Sequence, residues 1–165
     1  MPAFLLTWNP RRWPVADEDY ERWRASTLRG QPVVGRWSTG QHRRGTSPGD
    51  VLYWLRQGPD RRGIVGSGVA VSEVFSDVHY DDPTRQAHYV EHAWDVIVPV
   101  EDRLPTEELL HLVPRVPWNF LMGSGYRLPP HSEALLARTW AEHLSSLGPP
   151  PSAGDRPPGG GRARA

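Results

Sequence analysis

"VLYWLRQGPDRRGIVGSGVAVSEVF" (residues 51–75) decides the fold class. "VLYWLRQ" (51–57) is a continuous apolar run of strand length, and "IVGSGVAVSEVF" (64–75) is a second, longer one. "GPDRRG" between them turns the chain, and Gly66 and Gly68 mark a bend or bulge in the second strand. Further strands are read in "AFLLTW" (3–8), stopped by Asn9-Pro10, in "VVGRWST" (33–39) and in "AWDVIVPV" (93–100).

Helices lie between and after these strands. "VADEDYERWRASTL" (15–28) has Asp17 as its expected cap and puts Tyr20, Trp23 and Thr27 on one face. "TEELLHLV" (106–113) is a short helix after Pro105. "SEALLARTWAEHLSSL" (132–147) is expected to be capped by Ser132 and carries an apolar stripe of Leu136, Trp140, Leu144 and Leu147. "SDVHYDDPTRQAHYVEH" (76–92) reads as a polar loop, of a length that in a compact domain points to function. Residues 114–130 read as irregular or short strand. From Gly148 onward nothing larger than Pro or Arg is available to bury, which predicts a disordered tail over 148–165. The expectation is one α+β domain over 1–147, a curved, barrel-like sheet flanked by about three helices.

Composition narrows the chemistry. The 38% apolar content suits one modest core, and eight Trp must supply much of its volume. The absence of Cys removes disulfides, Cys-zinc sites and thiol nucleophiles together. No apolar run approaches the roughly 18 residues of a membrane span, and the first residues are too short and uncharged for a signal peptide, so a cytoplasmic protein with no membrane partner is expected. The net charge of zero hides a division. Residues 29–62 hold seven Arg against Asp50 and Asp60, a local +5, whereas 73–108 hold ten Asp/Glu against Arg85 and Arg103, a local −8. All basic residues are Arg, which together with abundant Pro, Gly and Ala reflects a GC-rich, bacterial-type composition; the clustering is the better sign of phosphate binding.

At the centre of the basic stretch lies "VGRWSTGQHRRG" (34–45), a Trp between Gly35 and Gly40, beside Ser38 and Thr39 and within reach of Arg36, Arg43 and Arg44. An exposed indole is a stacking surface for a nucleobase, the glycines admit a close backbone approach, and guanidinium groups suit the attached phosphates. The competing reading makes Trp37 a core or lid residue. Trp23, Trp54, Trp94 and Trp140 are assigned to the core, and Trp8 and Trp13 stay open.

Enzyme motifs are not found. "GIVGSG" (63–68) has GxxGxG spacing and leads into a strand, so no helix N-terminus is offered to a pyrophosphate. His88 and His92 are four apart but lead into a strand, where such residues do not converge on a metal. "GSG" (123–125) lacks the context of a nucleophile elbow. A binding protein without cofactor or metal is expected.

Four segments, in order, resemble the EVE and YTH branches of the PUA-like superfamily. They are "FLLTWNP" (4–10), "WSTG" (37–40), "GIVGSGVAVS" (63–72) with "VHY" (78–80), and "PWN" (117–119) with "GSGYRLPP" (123–130). The resemblance spans about residues 3–147, and "RQG" followed by "RGIVGSG" is more similar to the EVE branch, including EVE modules found beside HNH nucleases in modification-dependent restriction proteins. It implies a reader that flips a modified base into an aromatic cage. By motif position Trp37 is one wall, Ser38 the adjacent backbone and hydroxyl contact, Asn9 the reader of the base edge, and Tyr80 the second wall. Tyr80 stands where the family usually has Trp, a smaller face with an added hydroxyl. Trp118 and Asn119 match a segment near bound nucleic acid in the YTH branch. Arg36, Arg43, Arg44 and Arg127 are expected to hold phosphates.

The expected ligand is DNA carrying 5-methylcytosine or 5-hydroxymethylcytosine, in a restriction or defence setting with a separate nuclease effector. The alternatives are an RNA reader of 6-methyladenine or tRNA, and a small-molecule or nucleotide-processing enzyme using the same cavity.

Overall fold

The computed structural model describes residues 1–149, so most of the expected tail lies outside the described residues. Its elements in chain order are β1 (Ala3–Trp8), α1 (Asp17–Leu28), β2 (Val33–Gly40), β3 (Val51–Arg56), β4 (Gly63–Ala70), β5 (Phe75–Val78), β6 (Gln86–Ile97), β7 (Leu104–Pro105), α2 (Thr106–Leu112), β8 (Tyr126–Arg127) and α3 (Pro130–Ser146). One sheet runs β2-β6-β4-β3-β1-β8, with β5 added to β6 and β7 to β4. β1 runs parallel to β3, and β3 antiparallel to β4.

The continuous apolar runs of β1 and β3 have a simple cause: both strands are buried on both faces. Side chains alternate across the pleat. Ala3, Leu5, Tyr53 and Leu55 enter a core completed by Leu109 of α2 and by Leu136 and Trp140 of α3. Phe4, Leu6, Trp8, Leu52 and Trp54 enter a second core, against which Tyr20 and Trp23 of α1 and Trp37 of β2 pack. Trp54 is the hub of that second core. Its ring lies 5.0 Å from Trp8 and 5.6 Å from Trp94, both stacked, and meets Trp37 edge-on at 5.5 Å.

The ends of the sheet meet. β2 and β1 are not neighbours, yet the Trp37 indole Nε1–H donates to the Thr7 carbonyl at 2.9 Å. The β2 terminus also approaches the segment before β8: Gly40 sits against the Ser124 backbone and Gly125 against Thr39, while the Gly125 N–H donates to Leu5. These contacts curl the sheet into the expected barrel-like α+β form, with three α-helices outside.

Several local expectations are corrected. Residues 76–92 are not one long loop: β5 and the first residues of β6 occupy most of that stretch, leaving 79–85 as the connection. Their polar residues sit on solvated faces of a marginal hairpin, and this disguises a strand as a loop. Asp17 is the first helical residue rather than the cap, adding its carboxylate to the favourable first turn with Glu18 and Asp19. α3 begins two residues before Ser132, at Pro130, whose fixed φ suits a first helical turn. Ser132 is instead buried with its hydroxyl unpaired. The strand from Ile64 ends at Ala70, not Phe75.

Gly68 marks the irregularity between β4 and β6, where the register shifts after Ser67. A β-carbon there would run into the Ala93 carbonyl, whereas one at Gly123 meets nothing within 4 Å. Gly68→Ala is therefore expected to destabilise the protein by about 1–3 kcal/mol in denaturant titration, and Gly123→Ala to leave the midpoint unchanged.

Candidate functional site

Where the sheet's ends meet, a cavity of about 480 Å³ opens at the C-terminal ends of β1 and β2. This lies within the size range of small-molecule sites. Trp37, Trp13, Tyr80 and Tyr89 give it aromatic surface, and Asn9, Ser38, Gln41, Gln57 and Ser124 give it polar groups.

Trp37 is held on two sides, by its hydrogen bond to Thr7 and by the edge contact with Trp54, and it stays half-buried. The indole is thus packed on the core on one side and part of the cavity wall on the other. The β-bulge between Ser38 and Gly40 redirects the strand at this point. Ser38 Oγ accepts the Gly40 N–H at 3.0 Å, which leaves its own O–H free to donate.

Asn9 is fixed similarly. Its Oδ1 accepts the Arg11 N–H at 3.1 Å, and its carbonyl accepts the N–H groups of Arg12 and Trp13, both at 3.0 Å. This tight turn uses the carbonyl side of the Asn9 amide and leaves its NH₂ as a donor. The same turn swings Trp13 onto the exposed Tyr80, with ring centroids 3.5 Å apart.

The expected residues divide. The structure brings Trp37, Ser38, Tyr80, Asn9 and Arg36 to one cavity. Trp118 and Asn119 are not at it. Trp118 is fully buried in the α2/α3 core with its Nε1–H donated to Val113, and the Asn119 Oδ1 accepts from Arg62. A sealed indole cannot stack on a ligand, so Trp118 is corrected to a core residue.

Arg36 lines the cavity but is committed to other partners: it is ion-paired with Asp77 at 2.6 Å and lies 4.5 Å over the Tyr89 ring. A hydrogen bond from the Val78 N–H, and then the Arg36 guanidinium, hold the Asp77 carboxyl below its usual range. Arg43, Arg44 and Arg127 are exposed and make no ion pair among the described residues. A β-carbon added at Gly45, next to Arg44, would meet the Phe4 ring at 3.6 Å, and Phe4 is the register partner of Arg127, so Arg44 and Arg127 both lie near the start of β1. None of these three arginines is on the cavity's lining, where Arg12 and Arg36 stand instead.

Sequence reasoning missed Arg12, Tyr89, Gln57, Ser124 and Met122 as cavity residues. Tyr89 was hidden by the reading of 76–92 as loop. Ser124 holds the rim together, accepting the Thr7 N–H at 3.0 Å, and only its "GSG" context marked it. Among the described residues no group of acidic, His or Cys side chains could hold a metal ion, and no helix is long and apolar enough to cross a membrane.

No protein-family model matches the chain, and no curated protein does. Solved structures share the fold. A protein from Pseudomonas syringae, PSPTO5229, matches with a TM-score of 0.57 at 14% identity over 86% of this chain and 99% of its own. A hypothetical protein from Leishmania major matches with a TM-score of 0.56 at 14% identity over 87% of this chain and 97% of its own. A looser likeness, with a TM-score of 0.47 and 15% identity over 92% of this chain and 100% of the other, is to human THYN1 solved in complex with 5-methylcytosine-containing DNA.

Trp37 and Arg36 also line a second, smaller space of about 160 Å³, together with Trp54, Trp94 and His92. His92 is buried, stacks on Trp94 at 4.6 Å and leaves Nδ1 without a partner. Burial pushes its pKa down to about 4 from the ordinary 6.5, against a smaller opposing effect of a backbone hydrogen bond at Val33. The unfolded chain then binds the proton more readily than the folded one between those values. Stability contributed by neutral His92 is complete above pH 6.5 and falls as pH drops towards 4, by on the order of 3 kcal/mol. Denaturant titrations across this range are expected to show that loss, and His92→Asn to flatten it.

Proposed function

We propose that the chain is a reader of modified nucleic acid, a member of the EVE branch of the PUA-like fold, that takes an everted base into the cavity beside Trp37. One observation supports the reading above the others: flat side chains and unused hydrogen-bond donors converge on a single opening that Arg12 and Arg36 also line. A base has a π-face for Trp37, and Tyr80 braced on Trp13 offers the second plane. The Ser38 hydroxyl and the Asn9 amide read the edge. Arg12, Arg43, Arg44 and Arg127 hold the strand, and Arg36, engaged by Asp77 and Tyr89, shapes the wall instead.

The magnitudes fit. Drawing a base from a duplex costs a few kcal/mol. Stacking returns about 1–3 kcal/mol per base, so one wall barely offsets the cost and two walls with phosphate contacts exceed it. A buried methyl adds about 0.8 kcal/mol, roughly fourfold in affinity, and a shaped pocket reaches about 10–200-fold. Modest discrimination over a salt-sensitive background follows. We assign 5-methylcytosine or 5-hydroxymethylcytosine in DNA as the ligand, in a restriction or defence setting where a separate nuclease acts on what is read.

A binding panel tests this, with DNA and RNA oligonucleotides carrying 5-methylcytosine, 5-hydroxymethylcytosine or 6-methyladenine, each beside its unmodified twin. A preference for modified DNA is expected; a preference for the RNA set would move the reading to RNA, and equal binding of every twin would overturn it. Tyr80→Ala is expected to remove most of the preference without changing the melting temperature. Trp37→Ala should remove it and also destabilise the fold, because the Thr7 bond and the Trp54 contact go with it. Arg43→Ala with Arg44→Ala should weaken modified and unmodified strands alike and reduce the salt slope by about 2.

A further inference from the structure

Beside the cavity the chain exposes apolar side chains that the base pocket does not use. The segment 119–123, "NFLMG", has Phe120 78% and Met122 97% exposed, with Leu121 and Met122 on the cavity's lining. An isolated exposed apolar residue is ordinary, but a Phe and a Met flanking one rim position is not.

The stem of this loop is fixed. On one side Trp118 is locked in the core and Arg62 donates to both the Trp118 carbonyl and Asn119. On the other, Ser124 and Gly125 are bonded to Thr7 and Leu5 of β1. The Phe120 N–H closes a turn onto the Pro117 carbonyl at 2.8 Å. The tip therefore presents its apolar side chains on a rigid mount, and Arg12 stands on the same cavity lining as Leu121 and Met122.

We infer that the Phe120–Met122 tip is a wedge that enters the base stack of a duplex and fills the gap left by the everted base. This rests on the proposed reader function and deepens it, because a wedge is of use only where there is a stack to fill: the substrate is double-stranded. Side chains of these types insert between base steps, and Arg12, on the lining with Leu121 and Met122 and in no ion pair among the described residues, supplies the charge complementarity that a purely apolar partner would not require. Tip and cavity act on adjacent positions of one strand, with Leu121 between them on the cavity's side.

The test compares a duplex holding one 5-methylcytosine with the same strand alone. Phe120→Ser is expected to weaken duplex binding by about tenfold while leaving single-strand binding within about twofold, and Phe120→Leu to retain most of the duplex affinity. With 2-aminopurine opposite the modified base, the native tip should keep fluorescence low by stacking, and Phe120→Ser should raise it. Equal loss on duplex and strand, or no loss on either, overturns the wedge while the reader stands if the modified strand is still preferred. If the unaltered protein prefers the modified base in neither form, the reader and the wedge fall together. Binding that is untouched while self-association or vesicle sedimentation is lost gives the tip to another partner and also overturns it.

Discussion

The hydrogen bond from the Trp37 indole to the Thr7 carbonyl joins two strands that the sheet order keeps apart. Without it the β2 end and the β1/β8 end would lie at opposite margins of an open sheet. With it, and with the Gly40–Ser124 and Gly125–Thr39 contacts beside it, the sheet curls and its seam becomes a cavity. A backbone carbonyl at a strand end needs a donor; here a side chain supplies it, and that side chain is also the cavity's aromatic wall. Sheet closure and the cavity's aromatic wall are thus one piece of chemistry.

The rest of the site is arranged around that wall by short-range turns. The Asn9 turn satisfies three backbone N–H groups and in doing so carries Trp13 to Tyr80. The bulge after Ser38 frees a hydroxyl. The Arg36–Asp77 pair couples β2 to β5 across the rim and is solvent-exposed, so it orders the margin more than it stabilises the fold.

The fold was legible in the sequence wherever burial was two-sided. "AFLLTW" and "VLYWLR" stood out because no face of either strand is solvated. It was illegible at the margin, where β5 and the start of β6 carry "SDVHYDDPTRQAH" with one wet face, and composition overrode alternation. The site shows the same boundary. Trp37 and Ser38 could be placed because glycine, indole and hydroxyl coincide within a few residues. Tyr89 and Arg12 reach the cavity only through tertiary closure, which no local pattern announces. Trp118 marks the opposite failure, since an indole in a Pro-flanked, irregular segment looks available until α2 and α3 are seen packing over it.

The packing around Trp54 has an optical consequence. Indoles at 5.0 and 5.6 Å, with a third edge-on at 5.5 Å, are close enough for their excited states to mix and for excitation to migrate among them. Because Trp37 belongs to this set and also faces the cavity, its occupancy is written into the protein's intrinsic emission and near-ultraviolet dichroism, with no added dye.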